Sequence, residues 1–239
     1  MKTHSTVETA KEMLNDWLSK GVVQPGGKLP SERELEELLG IKRMTLRQAL
    51  LFLEGEEKIF RKDRRGWFVA LPCFKYTPNT STSFKQAALE QGRLPSWGFL
   101  EKERVYTAEP EILSQLNVKD GDEIYKICGW GALDNHKVFY HETFINAQSA
   151  PGFIDKLGDR SFVDVWQEAF GKSSHTQHLA FKPTRLSAGA CKGMGGTAGT
   201  PSIRVEKYRA DESGQVIQVD IEYWRFESVE FYIDFQEFP

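Results

Sequence analysis

Lys58, Arg61, Lys62, Arg64 and Arg65 place five cations within eight residues and face a single acid, Asp63. That density suits the phosphate backbone of a nucleic acid, although a solvated basic hairpin would look the same in isolation. Arg33, Arg43 and Arg47 lie upstream with Thr45 among them. Guanidinium forks pair with phosphate oxygens and with the O6/N7 edge of guanine. Far downstream, Gln218, Asp220, Glu222 and Trp224 alternate and would share one face of a strand, either a pocket wall of acid, amide and indole or a solvated sheet face. His141 and Glu142 are the acid and base types of an enzyme, but neighbours on a strand point to opposite faces, so the pair does not share a site. His175 and His178 have odd spacing in a strand-like stretch, and the three cysteines, Cys73, Cys128 and Cys191, form no Cys-x-x-Cys pair. Neither a metal site nor a disulfide framework is expected, and no cofactor.

The elements that must carry these residues can be read from periodicity. Ala10, Leu14, Trp17 and Leu18 recur at helical spacing over residues 6–19. Ser31 and Glu34 form a capping box that opens a short second helix, ended by Gly40. A third helix from about Lys42 buries Leu46, Ala49, Leu50 and Leu53 and leaves Arg43, Thr45, Arg47 and Gln48 largely on other faces. Two short helices joined at a glycine, the second with a polar outer face, make a helix-turn-helix pattern. Residues 58–60 and 66–69 then read as strands flanking the basic tip, which makes the tip a wing.

Residues 72–83 are rich in Pro, Thr, Ser and Asn and are read as a linker between domains 1–71 and 84–239. Beyond it, helices are expected at 84–91, 110–116 and 162–170. Strands are expected at 98–107, 123–133, 138–145, 177–184, 202–210, 216–226 and 229–235, with a glycine-rich irregular stretch at 189–199. The fold class is α+β, with a mostly antiparallel sheet in the second domain.

Composition bounds the function. The chain has 239 residues, 40% hydrophobic, with no apolar run near the roughly 18 residues of a membrane span and no signal-peptide core, so a cytoplasmic protein without a membrane partner is expected. The net charge is -3, yet residues 1–70 hold 13 Lys and Arg against 11 Asp and Glu, while the remainder holds 18 against 23. The basic excess sits with the helix-turn-helix.

The stretch Pro25-Gly26-Gly27-Lys28-Leu29-Pro30-Ser31-Glu32-Arg33-Glu34-Leu35, followed by Leu39-Gly40-Ile41-Lys42-Arg43-Met44-Thr45-Leu46-Arg47-Gln48-Ala49-Leu50, Leu53-Glu54-Gly55 and Arg64-Arg65-Gly66-Trp67-Phe68-Val69, resembles the GntR family of bacterial transcription regulators. The resemblance implies a winged helix-turn-helix that contacts double-stranded operator DNA through Arg33, Arg43, Thr45, Arg47, Lys62, Arg65 and Gly66, in a homodimer on a palindromic site.

Residues 81–238 resemble, more loosely, the chorismate-lyase-like (UTRA) sensor domain of the HutC branch. The resemblance rests on Thr82-Ser83-Phe84, Gln91-Gly92-Arg93-Leu94-Pro95, His141-Glu142-Thr143-Phe144-Ile145, Ser161-Phe162, Gly199-Thr200-Pro201 and Tyr208-Arg209-Ala210-Asp211. It implies a small-molecule effector site formed by Thr80, Ser81, Thr82, Ser83, Glu142, Ser161, Gln218, Asp220 and Trp224. Where the branch carries an Arg pair on its central strand, Cys128-Gly129-Trp130-Gly131-Ala132 supplies no cation. The anionic end of a ligand is therefore expected on hydroxyls and backbone N-H groups, and a cationic end on Glu142 or Asp220. Residues 63–69 with 90–95 also resemble regulators of phosphonate uptake and breakdown, which suggests an aminoalkylphosphonate. The function expected is an effector-released repressor; a lyase-like enzyme and a sensor that no longer binds DNA are the alternatives.

Overall fold

A computed structural model describes residues 6–62, 65–79, 82–195 and 198–233. The chain separates into two compact units, Met1–Cys73 and Phe74–Pro239.

The first unit holds helices α1 (Thr6–Ser19), α2 (Glu32–Leu39) and α3 (Arg43–Gly55) and the hairpin β1 (Ile59–Lys62) with β2 (Gly66–Val69). Both halves of the capping box form: the Ser31 amide donates to Glu34 Oε2 at 2.7 Å and the Glu34 amide to Ser31 Oγ at 3.3 Å. Gly40 ends α2 at φ +66°, its N-H donating to the Glu36 carbonyl. Only glycine takes this left-handed turn without strain, and the turn aims α3 away from α2. Leu35, Leu46, Leu50 and Leu53 are fully buried in one core with Ala10, Leu14 and Trp67. Each such leucine contributes about 2 kcal/mol of transfer free energy. Lys28 bridges Phe68, so the segment before α2 lies against the wing as a third short strand.

The second unit is a six-stranded antiparallel sheet in the order β4-β5-β6-β9-β8-β7. Its strands are β4 (Pro95–Val105), β5 (Ile124–Leu133), β6 (His136–Asn146), β7 (His175–Arg185), β8 (Pro201–Ala210) and β9 (Val216–Arg225). Helices α4 (Phe84–Glu90), α6 (Phe153–Leu157) and α7 (Phe162–Phe170) pack on one face, and α5 (Pro110–Gln115) and α8 (Ala188–Met194) on the other. The turn between β5 and β6 has two residues, Asp134 and Asn135, both at positive φ, as the right-handed twist of a hairpin requires. His136 pairs with Leu133 and opens β6.

Two expectations need correction, and one further helix was not foreseen. The stretch 72–83 is not simply a linker. The unit boundary falls at Cys73, and β3 (Phe74–Tyr76) pairs in parallel with β10 (Val229–Phe231), burying Phe74 and Tyr76 against Trp224. The driving force is aromatic burial, which the polar residues that follow had masked. The glycine-rich stretch contains α8, capped by Ser187. Gly193 lies inside that helix because a Cβ there would come within 2.6 Å of Tyr140. The short α6, after the turn at Gly152, had no periodic signal long enough to read.

Candidate functional site

Arg43 and Arg47 project from α3 into solvent with Lys42 and Gln48, while Thr45 is half-buried on the same helix. Lys42 caps α3 without a side-chain hydrogen bond, which leaves the first-turn N-H groups to an external acceptor such as a phosphate oxygen. Arg33 lies 3.8 Å from Glu37, the intrahelical alternative, but both side chains are mostly in water (84% and 70% exposed), where such a pair is screened and weak. In the wing, Arg65 is exposed and its amide donates to the Lys62 carbonyl. Lys62 is more confined, its ammonium 4.7 Å from the centre of the Phe68 ring. Gly66 has φ +94°, and a Cβ there would find only the end of the Lys28 side chain, so the backbone conformation is what calls for glycine. Asp63 and Arg64 lie outside the described residues.

The second unit carries a cleft of about 760 Å³, solvent at its mouth included, on the sheet face that bears α4 and α7. Ser83 and Ser161 reach it from the first turns of α4 and α7, where each caps its helix by accepting from Gln86 N and Asp164 N. Capping occupies a lone pair and leaves each hydroxyl proton free to be donated. Gln218, Asp220, Glu222 and Trp224 do share a face, and it is the buried cleft wall, not a solvated surface. Thr82 lines a separate hollow beside Lys75 and Gln91, and Thr80 and Ser81 lie outside the described residues.

Glu142 does not belong to this cleft. Its carboxylate accepts from the Tyr140 hydroxyl at 3.2 Å on the opposite face of β6, because His141 and Thr143 are the β6 residues that turn toward the cleft. The expected lack of cations is also corrected. Lys207 and Arg209, two apart on β8 and paired with Asp220 and Gln218 of β9, bring positive charge to the cleft floor. Gly129 and Gly131 explain why β5 supplies none: a Cβ at these positions would fall 2.5 Å from His141 Nε2 and 2.1 Å from the Phe139 ring. Those rings fill the space a longer side chain would need.

The charges of the floor are interlocked. Lys207 Nζ is 2.6 Å from Glu222 Oε1 and 3.9 Å from Asp220 Oδ2, and the Trp224 indole donates to the other Glu222 oxygen at 2.7 Å. Burial pulls the Lys207 pKa down, but Glu222, Tyr76 and Asp220 outweigh it and hold the ammonium above its ordinary value. Arg209 donates to the hydroxyl and the carbonyl of Ser174. Asp220 accepts from Thr143 and from the Gln218 amide. Burial lowers the His141 imidazole to about 4, despite the opposing pull of Asp220 and Glu222, so the ring is neutral. Thr143, Lys207 and Arg209 escaped the sequence reading as cleft residues, and His141 was weighed only as an acid or base beside Glu142. Period-two spacing of Lys207 and Arg209 was the available signal, but it became one only once β8 was known to lie beside β9.

A winged helix-turn-helix followed by a sheet with a polar-floored cleft fits the two family patterns the chain matches, which define a DNA-binding transcriptional regulator with an effector-binding domain. The chain belongs to the GntR family of bacterial regulatory proteins, whose pattern it matches at residues 6–69, with a UTRA domain at residues 90–230. It is 56% identical to the "uncharacterized HTH-type transcriptional regulator YihL" of Escherichia coli strain K12, over 98% of this chain and 99% of the relative. It is 25% identical to the "probable fructoselysine utilization operon transcriptional repressor" of the same strain, over 95% and 93%. The crystal structure of PhnF from Mycobacterium smegmatis shares the fold, with a TM-score of 0.65 and 21% identity over 95% of this chain and 99% of that one. Among the described residues no helix is long and apolar enough to cross a membrane.

Proposed function

We propose that this regulator is a cytoplasmic repressor of an operon for metabolite uptake or breakdown, and that a small anionic effector entering the cleft releases it from its operator. The homodimer grips an inverted repeat, with Arg43 and Arg47 reading bases, Arg33 and Thr45 bonding phosphates, and Lys62, Arg65 and the Gly66 backbone following the flanking groove. The observation that carries the effector reading is the pair Lys207 and Arg209 in a cleft whose acids, Asp220 and Glu222, are already held by Thr143, Gln218, Trp224 and Lys207. A zwitterion such as an aminoalkylphosphonate would bring an ammonium with no free carboxylate to meet it, which favours a ligand without a cationic end.

The test pairs selection of bound sequences from randomised duplexes with a thermal-shift screen of anionic metabolites, since a ligand of the native state raises Tm. An inverted repeat whose affinity falls when a stabilising anion is added supports the reading. By linkage, operator DNA must weaken that anion's binding by the same factor. Selection of no sequence, or an anion whose binding leaves operator affinity unchanged, would refute it.

A further inference from the structure

A chain of hydrogen bonds runs across the cleft floor, and its direction can be deduced from the chemistry of its members. Trp166 Nε1, which can only donate, meets Gln218 Oε1 at 2.7 Å. That fixes the Gln218 amide, so its nitrogen is what faces both Asp220 oxygens, at 2.8 and 2.9 Å. The carboxylate must accept there, and it also accepts from the Thr143 hydroxyl at 2.7 Å. Thr143 has one proton and has given it to Asp220. Its contact with His141 Nδ1 at 3.0 Å is therefore a bond in which the imidazole donates. The neutral ring carries a single N-H, so Nε2 presents a bare lone pair.

Nε2 forms no hydrogen bond among the described residues, although the side chain is 8% exposed and lines the cleft. It lies over Gly129, where any Cβ would come within 2.5 Å of it, and the Phe99 and Phe162 rings stand edge-on beside the imidazole. Nε2 is not sealed in the protein interior but opens on the cleft, where water or a ligand can donate to its lone pair.

We infer that His141 is a specificity residue of the effector cleft: its Nε2 accepts a hydrogen bond from a hydroxyl of the ligand, and so selects hydroxylated anions over anions of the same charge that lack the hydroxyl. The inference rests on the cleft being the effector site. The low imidazole pKa agrees with it, because a protonated ring would donate at both nitrogens and leave no lone pair to accept the hydroxyl proton. Thr143 is the positioning residue, since its proton given to Asp220 is what turns Nδ1 into the donor.

The full chain, with 15N-labelled histidine, supplies the test. Without ligand, His141 should show a protonated Nδ1 and an unprotonated, pyridine-like Nε2 from pH 8 to pH 5. Glycerol 3-phosphate should bind about tenfold more tightly than n-propyl phosphate, which has the same charge and no hydroxyl, the size of one neutral hydrogen bond. It alone should move the Nε2 resonance. Thr143→Val should mix the two tautomers, and His141→Phe should bring the affinity ratio close to one. Equal affinity of the two phosphates in the wild type, or a protonated Nε2 in the free protein, overturns the proposal and leaves the cleft reading intact. If neither phosphate perturbs any cleft resonance, both fall together.

Discussion

Cations serve in both units under opposite conditions. Arg33, Arg43, Arg47 and Arg65 stand in solvent, whereas Lys207 and Arg209 are buried, Lys207 against Glu222 and Asp220 and Arg209 against the neutral Ser174. An exposed cation keeps its charge at little cost and can be handed to a phosphate as counterions leave. A buried one persists only inside a network, so the network, not the charge alone, decides what the cleft accepts. The first unit therefore gains affinity from single side chains and the second gains selectivity from their arrangement.

The largest expected effect separates the two regions by stability. Lys207→Met should cost roughly 3 to 5 kcal/mol in urea unfolding, because Glu222 and Asp220 would be left buried without their cation. Arg47→Met should stay within about 0.5 kcal/mol. Similar costs for the two would erase the contrast drawn above.

Acid should distinguish the units next. His141 is near pKa 4 in the folded protein against 6.5 when unfolded, so the unfolded chain binds the additional proton between those values. Its contribution to stability is present in full above pH 6.5, declines toward pH 4 by up to about 1.4 kcal/mol per unit, and is flat below. Lys207 stays charged throughout this window, and Asp220 and Glu222, which also face the ring from β9, oppose the shift. Unfolding followed across pH in wild type and His141→Phe should show a steeper slope in the former, the remainder coming from carboxyls held below their ordinary values, such as Asp134 and Asp211. An identical slope in both would assign it to other groups.

On DNA the expected changes are smaller. Arg43→Ala or Arg47→Ala should each weaken operator binding by about 1 to 3 kcal/mol and relax base preference at one position. Full retention of affinity and preference by both variants, at fixed salt, would remove α3 from the reading role. Arg65→Ala should lower the slope of log affinity against log salt by about 0.9, one phosphate contact, for all sequences alike. Lys62→Ala should change that slope less, since its ammonium is already held over Phe68. The smallest effect belongs to Gly66→Ala, about 1 kcal/mol from the positive φ alone. A much greater loss of DNA binding with an intact wing would reveal close backbone approach instead.

The sequence was most legible where signals are local. Ser31 with Glu34, Gly40 and the leucines of α3 determine their elements within a few residues of themselves, and the helix-turn-helix reading follows. The cleft depends on partners far apart in the chain. Glu142 was placed in it by resemblance alone, and a shift of one residue along β6 exchanges the two faces, with nothing local to say which is buried. Lys207 and Arg209 became cleft residues only through pairing of β8 with β9. β3 and α8 were hidden by composition: prolines and threonines around two buried aromatics in one case, glycines needed for close packing in the other.

The parallel pairing of β3 with β10 has a consequence during synthesis. Phe74 leaves the ribosome just after the wing, but its partner Val229 follows roughly 155 residues later, on the order of ten seconds at ordinary translation rates. The first unit, with its own core complete by Val69, has that interval in which to fold while the sheet that senses the effector still lacks its last strands. Each newly made molecule is thus expected to pass through a stage that carries the DNA-reading helix and is deaf to the metabolite, and the time spent there shortens as the ribosome speeds up.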